Sequence, residues 1–238
     1  MAYVGGKSKN SEHILNILNN PKYDGMRYLE PFVGYAHVLR RVNNKKSYKA
    51  YDANPLLIEL LRGIQKGKKY PDITKTEYEK LKKSNRITFR RAIAAFCYSY
   101  NGKEWGGYTI SSSDGTRSNY PSERKRYYNS LRKNDIFMNT KITLADYKTL
   151  KPKNMLIYCD PPYRDTTDYN TNFDHDKFWN IMRKWSNNNI VLISEYAAPS
   201  DFKTVSKRKK YSSLSGKGAS STRYEKLFSL KNGKYFKK

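Results

Sequence analysis

The chain has 238 residues and carries 47 Lys+Arg against 21 Asp+Glu, a formal net charge of +26. That length suits one large domain or one domain carrying an insertion. The charge excess is silent about fold but favours a polyanionic partner, and no apolar run approaches the length of a membrane span. Tyrosine occurs 22 times, and tyrosines mixed among lysines and arginines suit stacking on bases beside phosphate contacts. A Lys/Asn/Tyr-rich composition inherited from an AT-rich genome would explain those residues, but less readily the scarcity of acids. The two cysteines, Cys97 and Cys159, lie in apolar surroundings, which argues against a disulfide framework or a structural zinc site. The start, "MAYVGGKSKN", has no apolar signal core, so a soluble, intracellular protein is expected.

From Ser11 to Asn20 the apolar residues Ile14, Leu15, Ile17 and Leu18 share one helical face, with Ser11 placed to cap it. "MRYLEPFV" reads as a short strand running into Pro31, and "YKAYDAN" (Tyr48 to Asn54) as a second strand. "PLLIELLRGIQKG" (Pro55 to Gly67) is a helix with Pro in its first turn and Gly at its end. Strands and helices that alternate in this way begin an α/β sheet. From about residue 66 to 139 charge becomes dense. This stretch holds a helix in "TKTEYEKLKKSNR" and another from Thr88 to Tyr100, with apolar Ile93, Ala94, Phe96 and Cys97. "GGYTISSSDGTRSNY" then reads as two strands about an Asp114-Gly115 turn, with Arg124, Lys125 and Arg126 after it. The block reads as an insertion that meets nucleic acid, with a charged, solvated subdomain as the alternative.

The α/β rhythm returns in "ITLADY", "MLIYCDPPY", a helix in "FDHDKFWNIMRKWSN" and the buried strand "IVLISEY". Phe178, Trp179, Met182 and Trp185 form that helix's apolar face. "SKRKKYSSLSGKGASSTR" reads as a Gly/Ser/Lys loop, mobile or ordered on nucleic acid, and "RYEKLFSLKNGKYFKK" as a last strand with a basic end.

Within "YCDPPY" (Tyr158 to Tyr163) the prolines fix two φ angles and push each preceding residue toward extended backbone. Asp160 therefore sits on a stiff elbow at a strand end. In "LEPFVGYAHV", Gly34 and Ala36 make a small-residue turn after a strand, where a cofactor can approach the backbone. Asp52 closes the next strand, 18 positions after Gly34, about where a carboxylate receives ribose hydroxyls in nucleoside-binding α/β units. Each signal alone fits an ordinary turn or a helix cap.

Their order is more specific. "YVGGK" (Tyr3 to Lys7), "EPFVG" (Glu30 to Gly34), "YDAN" (Tyr51 to Asn54), "LADY" (Leu144 to Tyr147) and "DPPY" resemble the adenine-N6 DNA methyltransferases of the Dam-like, or alpha, class. "NYP" (Asn119 to Pro121), followed by basic residues, is similar to the hairpin of that class's target-recognition domain. The resemblance implies a Rossmann-like S-adenosylmethionine-dependent methyltransferase fold: a mostly parallel seven-stranded sheet with helices on both faces. Residues 1–65 and 140–238 would form the catalytic domain. Residues 66–139 would form an inserted, mainly helical target-recognition domain with a β-hairpin.

The resemblance further implies S-adenosylmethionine as methyl donor, no metal, and double-stranded DNA as partner; that no membrane is a partner is expected from the absence of a long apolar run. Tyr3, Gly5, Gly6 and Lys7 would line the cofactor's pocket, and Glu30, Pro31, Phe32 and Gly34 would cradle its methionine part. Asp52 would hold the ribose, Asp146 the adenine amino group, and Tyr147 would flank it. Asp160, Pro161, Pro162 and Tyr163 would form the catalytic loop that holds the target base, with Asp160 also touching the cofactor. Where the family usually has a second glycine, this chain has Ala36, small enough for close approach while φ stays negative.

The chemistry expected of such a loop is direct transfer to a flipped base. Adenine's amino nitrogen is a poor nucleophile because its lone pair is delocalised into the ring. Asp160 and the Pro161 carbonyl can accept its N–H bonds, favour a pyramidal nitrogen and stabilise the charge that develops. Tyr163 offers a π-face to the extruded base. RNA adenine, DNA cytosine-N4 and a decayed nucleic-acid-binding relative remain the alternatives. Arg117, Asn119, Arg124, Lys125 and Arg126 are the candidate DNA contacts, to bases or to phosphates. The recognition sequence, a restriction-modification partner, a cellular or viral source and the oligomeric state stay open.

Overall fold

The computed structural model describes residues 11–109, 120–163, 173–210 and 223–237. Seven strands stand in the order β3-β2-β1-β4-β5-β7-β6: β1 (Arg27–Glu30), β2 (Ser47–Asp52), β3 (Lys141–Leu144), β4 (Met155–Cys159), β5 (Ile190–Glu195), β6 (Phe202–Lys210) and β7 (Arg223–Leu230). The pairs β2/β3, β1/β4 and β4/β5 are parallel, while β5/β7 and β6/β7 are antiparallel. This is the Rossmann-like, mostly parallel arrangement the motifs imply. By contacts the chain forms two compact units. Among the described residues, one comprises Val33–Asn43 and those between Lys49 and Ala145; the other comprises those up to Phe32, Asn44–Tyr48 and those from Asp146 onward.

The first unit holds β2, β3 and the helices α2 (Pro55–Gln65), α3 (Lys75–Lys83), α4 (Phe89–Cys97), α5 (Tyr120–Arg132) and α6 (Asp135–Met138). Side-chain caps fix three helix starts: Asn54 accepts from the Leu56 and Leu57 amides, Thr74 from Glu77, and Thr88 from Arg91. α2 meets α4 where Gly63 lies under the Phe89 ring; a side chain at Gly63 would collide with that ring. The expected helices over "TKTEYEKLKKSNR" and Thr88–Tyr100 are present in shortened form. α5 was not foreseen, and its Tyr128 and Leu131 are buried. Most of the expected hairpin, Gly106 to Tyr120 about Asp114-Gly115, falls on residues 110–119, outside the described residues; Tyr120 and Pro121, read as part of it, instead begin α5, and Ser99 and Tyr108 form an isolated antiparallel bridge.

The second unit holds α1 (Glu12–Leu18), β1, β4, α7 (His175–Ser186), β5, β6 and β7. β4 and β5 are buried along their whole length, as expected of strands covered on both faces. Asp174 caps α7 by accepting from the Lys177 amide, and Phe178, Trp179, Met182 and Trp185 are its buried face. Each such side chain contributes about 1.5–3 kcal/mol on burial. Two expectations are corrected. Ser11 precedes α1 in right-handed helical backbone and makes no side-chain cap. Residues 206–210, read as loop, belong to β6, where pairing with β7 supplies the order that their Lys/Ser composition does not suggest.

Candidate active-site residues

In the first unit, the turn after the "EPFVG" motif is tied to β2 by main-chain bonds. The Val33 amide donates to the Tyr51 carbonyl (2.9 Å) and the Ala145 amide to the Asp52 carbonyl (3.1 Å). The Asp52 carboxylate accepts from the Gly34 amide (3.2 Å) and from the Asn54 amide (3.0 Å). Burial raises the Asp52 pKa, and these backbone donors pull it partly back. Gly34 has φ +50°, and open space lies where a side chain would stand. Ala36 also adopts left-handed backbone, with φ +58°, and is fully buried. The condition set for close approach, a negative φ, is therefore not met: the family's glycine position keeps its glycine-like backbone here with a methyl group on it.

In the second unit, Glu30 ends β1 at 2% exposure and its Oε1 accepts from the Tyr28 hydroxyl at 2.6 Å. Burial pushes its pKa to about 8, with the nearby Asp160 charge adding to the rise. Asp160 directly follows β4, half-buried, between buried Cys159 and buried Pro161. After burial itself, its charge is among the causes that raise the pKa of Tyr158, Cys159 and Tyr163. A thiol held well above its ordinary range is not a nucleophile at neutral pH, so Cys159 is a wall of this loop and not an attacking group.

The Tyr163 ring is held at two points. Its hydroxyl donates to Glu225 Oε1 (2.6 Å), and its ring meets that of Tyr196 edge-on at 4.9 Å between centroids. Tyr158 and Ser194 hydroxyls bond at 2.8 Å. Tyr28, Ser194, Tyr196 and Glu225 were missed in the sequence. Glu225 is 2% exposed, and the available signal for it was the acid inside "RYEKLF" in an otherwise basic tail.

Phe32, Tyr147, Phe173 and Phe178 form one aromatic cluster, with Phe32 at 5.0 Å from Tyr147 and 5.9 Å from Phe178. Tyr147 is buried and its hydroxyl pKa is pushed to about 12, first by burial. Asp146, before it, accepts from the Lys148 amide at 2.9 Å and pairs with the Lys148 ammonium at 3.1 Å.

Tyr3, Gly5, Gly6, Lys7, Arg117 and Asn119 lie outside the described residues. Lys125 and Arg126 are exposed on α5. Arg124 is corrected: at 1% exposure, its guanidinium donates to the Cys97 carbonyl (3.0 Å) and the Ser99 carbonyl (2.6 Å). It ties α5 to the end of α4 and presents nothing to DNA. Among the described residues, no group of three or more His, Cys, Asp or Glu side chains could hold a metal, and no helix is long and apolar enough to cross a membrane.

Residues 3–93 match the family described as D12 class N6 adenine-specific DNA methyltransferase. The matched stretch contains "YVGGK", "EPFVG" and "YDAN" and stops before "DPPY"; it agrees with the resemblance read from the motifs and supports a methyltransferase. No curated protein matches the chain. Among solved structures the chain is similar to a conserved hypothetical protein of Streptococcus pyogenes, at 10% identity over 90% of this chain and 91% of that one, TM-score 0.39. It is also similar to the rRNA methyltransferase aviRa of Streptomyces viridochromogenes, at 11% identity over 93% and 83%, TM-score 0.41. A third is SMU.472, a putative methyltransferase complexed with SAH, at 11% identity over 96% and 55%, TM-score 0.35.

Proposed function

We propose that the chain methylates the N6 amino group of adenine in double-stranded DNA, using S-adenosylmethionine, by direct transfer to a base turned out of the helix. The observation that carries this reading is the loop from Asp160 to Tyr163: a half-buried carboxylate before two prolines, beside a tyrosine whose ring is fixed through Glu225 and Tyr196. The order of the motifs and the family match over residues 3–93 support the choice of adenine and DNA.

The residues present fit the cofactor. Gly34 leaves open space before a backbone N–H turn, and Asp52 keeps acceptor capacity for ribose hydroxyls beyond its two backbone bonds. Glu30 is a buried acid whose charged form a cationic ammonium would favour. When bound, S-adenosylmethionine supplies a methyl group made electrophilic by its sulfonium. Everything else falls to the chain. Asp160 and the Pro161 carbonyl accept the amino hydrogens of the target base, and the prolines remove the reorganisation those acceptors would otherwise undergo. Tyr163 stacks on the base, its hydroxyl anchored by Glu225 so that the ring does not swing away.

The test is a transfer assay with radiolabelled cofactor on duplex DNA and on structured RNA, followed by digestion to nucleosides. Label in N6-methyldeoxyadenosine is expected. Label in N4-methyldeoxycytidine or in RNA would replace the reading with another amino substrate. Failure of the folded protein to bind the cofactor would leave only a nucleic-acid-binding relative.

A further inference from the structure

The loop between α4 and α5 reaches back to the start of α2 through one side chain. Asn54 caps α2, and its side-chain amide is held at both ends. Oδ1 accepts from the Leu56 and Leu57 amides at 3.0 and 3.1 Å, while Nδ2 donates to Glu104 Oε2 at 2.6 Å. The helix start needs an acceptor and the carboxylate needs a donor, so only one orientation of the amide satisfies both. The main-chain N–H of the same residue donates to Asp52 Oδ1 at 3.0 Å, and the Gly34 amide donates to Oδ2 at 3.2 Å. Glu104 therefore grips the residue that orients the carboxylate proposed to hold the ribose.

Glu104 lies 50 positions from Asn54, in a loop whose ends are closed. The Tyr100 amide donates to the Gly107 carbonyl at 2.8 Å, and the Thr109 amide to the Tyr98 carbonyl at 2.9 Å. Between these closures Asn101, Gly102, Trp105 and Gly107 all have positive φ. Glycine adopts such backbone freely, but φ +54° at Trp105, the residue after Glu104, persists only where its surroundings hold it. The Trp105 amide donates to the Ala95 carbonyl of α4 at 3.1 Å. Its ring centre lies 5.4 Å from that of Tyr78 and 5.2 Å from the Arg91 guanidinium. Backbone forced into a rare region and locked by packing on α3 and α4 delivers a side chain to a fixed place, and the adjoining side chain is Glu104.

We infer that Glu104 is a positioning residue for the cofactor: by holding Asn54 it fixes the peptide that orients Asp52, so the α4–α5 loop sets cofactor affinity. Without that acceptor the Asn54 side chain keeps one anchor of two, and its N–H loses the fixed angle at which it meets Asp52. The inference rests on the proposed role of Asp52 as ribose acceptor.

The experiment is calorimetric titration of the full chain with S-adenosylhomocysteine, which binds without being consumed. Glu104→Ala should bind roughly tenfold more weakly, as for one lost hydrogen bond to a charged group. Glu104→Gln keeps an acceptor and should recover most of that loss. Asn54→Ser keeps a capping oxygen for α2 but is too short to reach Glu104. It should bind about as weakly as Glu104→Ala, and the double variant no more weakly than either, because both changes break the same bond. Circular dichroism checks folding; should Glu104→Ala misfold, Asn54→Ser and Glu104→Gln carry the comparison. Folded Glu104→Ala or Asn54→Ser with wild-type affinity, beside a weakened Asp52→Ala, overturns the inference alone and leaves Glu104 a support of the α2 cap. Losses that add in the double variant overturn it too. Wild-type affinity in Asp52→Ala as well removes the ribose role of Asp52 together with the inference. Absence of binding by the folded wild type overturns both along with the enzymatic reading.

Discussion

Replacing Glu30 by Gln should flatten part of the pH dependence of stability. Glu30 is buried against the Tyr28 hydroxyl, and its pKa is raised from 4.5 to about 8. A group whose folded pKa lies above its unfolded value favours the folded state fully below the unfolded pKa and loses that advantage as pH rises through the folded one. The window is therefore about pH 4.5 to 8. At 1.36 kcal/mol per pKa unit, wild type should lose about 3 kcal/mol relative to Glu30→Gln between pH 4 and pH 7, and somewhat more by pH 9. Gln retains an acceptor for Tyr28 without the charge. Urea denaturation at fixed ionic strength, followed by far-UV circular dichroism across that range, reads the difference directly. Parallel stability curves for the two proteins would refute a buried, neutral Glu30.

His37 bears the opposite sign. Burial, and after it surrounding positive charges that include Arg40 and Arg41, hold its pKa down to about 3 against an ordinary 6.5, so its neutral form supports folding above pH 6.5 and that support fades as pH falls toward 3. Acid unfolding of His37→Phe should accordingly be shifted to lower pH than wild type, which an acid titration by circular dichroism checks. Arg124→Met should lower stability by about 1–3 kcal/mol for each carbonyl left unsatisfied, Cys97 and Ser99; a thermal shift absent from Arg124→Met would return this residue to the surface. At Ala36, the left-handed backbone costs an L-residue about 1–2 kcal/mol, while glycine loses roughly 0.5–1 kcal/mol of chain entropy and about 0.8 of buried methyl. Ala36→Gly should therefore be nearly neutral. Ala36→Val, β-branched at positive φ in a fully buried position, should destabilise by about 1–3 kcal/mol, as thermal unfolding would record.

Local patterns made the buried strands and several helices readable: an apolar run before a stiff turn for β4, Pro in the first turn and Gly at the end for α2, and apolar Ile93, Ala94, Phe96 and Cys97 for α4. β6 escaped because its polar sequence is held by β7, a partner far along the chain, and because one bulged residue decides its facing. Arg124 was misread for a similar reason: in a run of basic residues only its neighbours' carbonyls distinguish the buried guanidinium from the exposed ones. The candidate loop was readable as far as the acid and prolines reach. Glu225, which anchors Tyr163, lies 62 positions away from it, and no local pattern links them. Ala36 was legible as small, but backbone handedness is set by the turn and not by the residue.

The most direct measurement is single-turnover methyl transfer to duplex DNA by Asp160→Ala, set beside a cofactor titration of the same protein. The account predicts that transfer to adenine N6 is lost while the cofactor still binds. Transfer at the wild-type rate by that variant would contradict it, because the Pro161 carbonyl would then hold the amino nitrogen without the carboxylate the account requires.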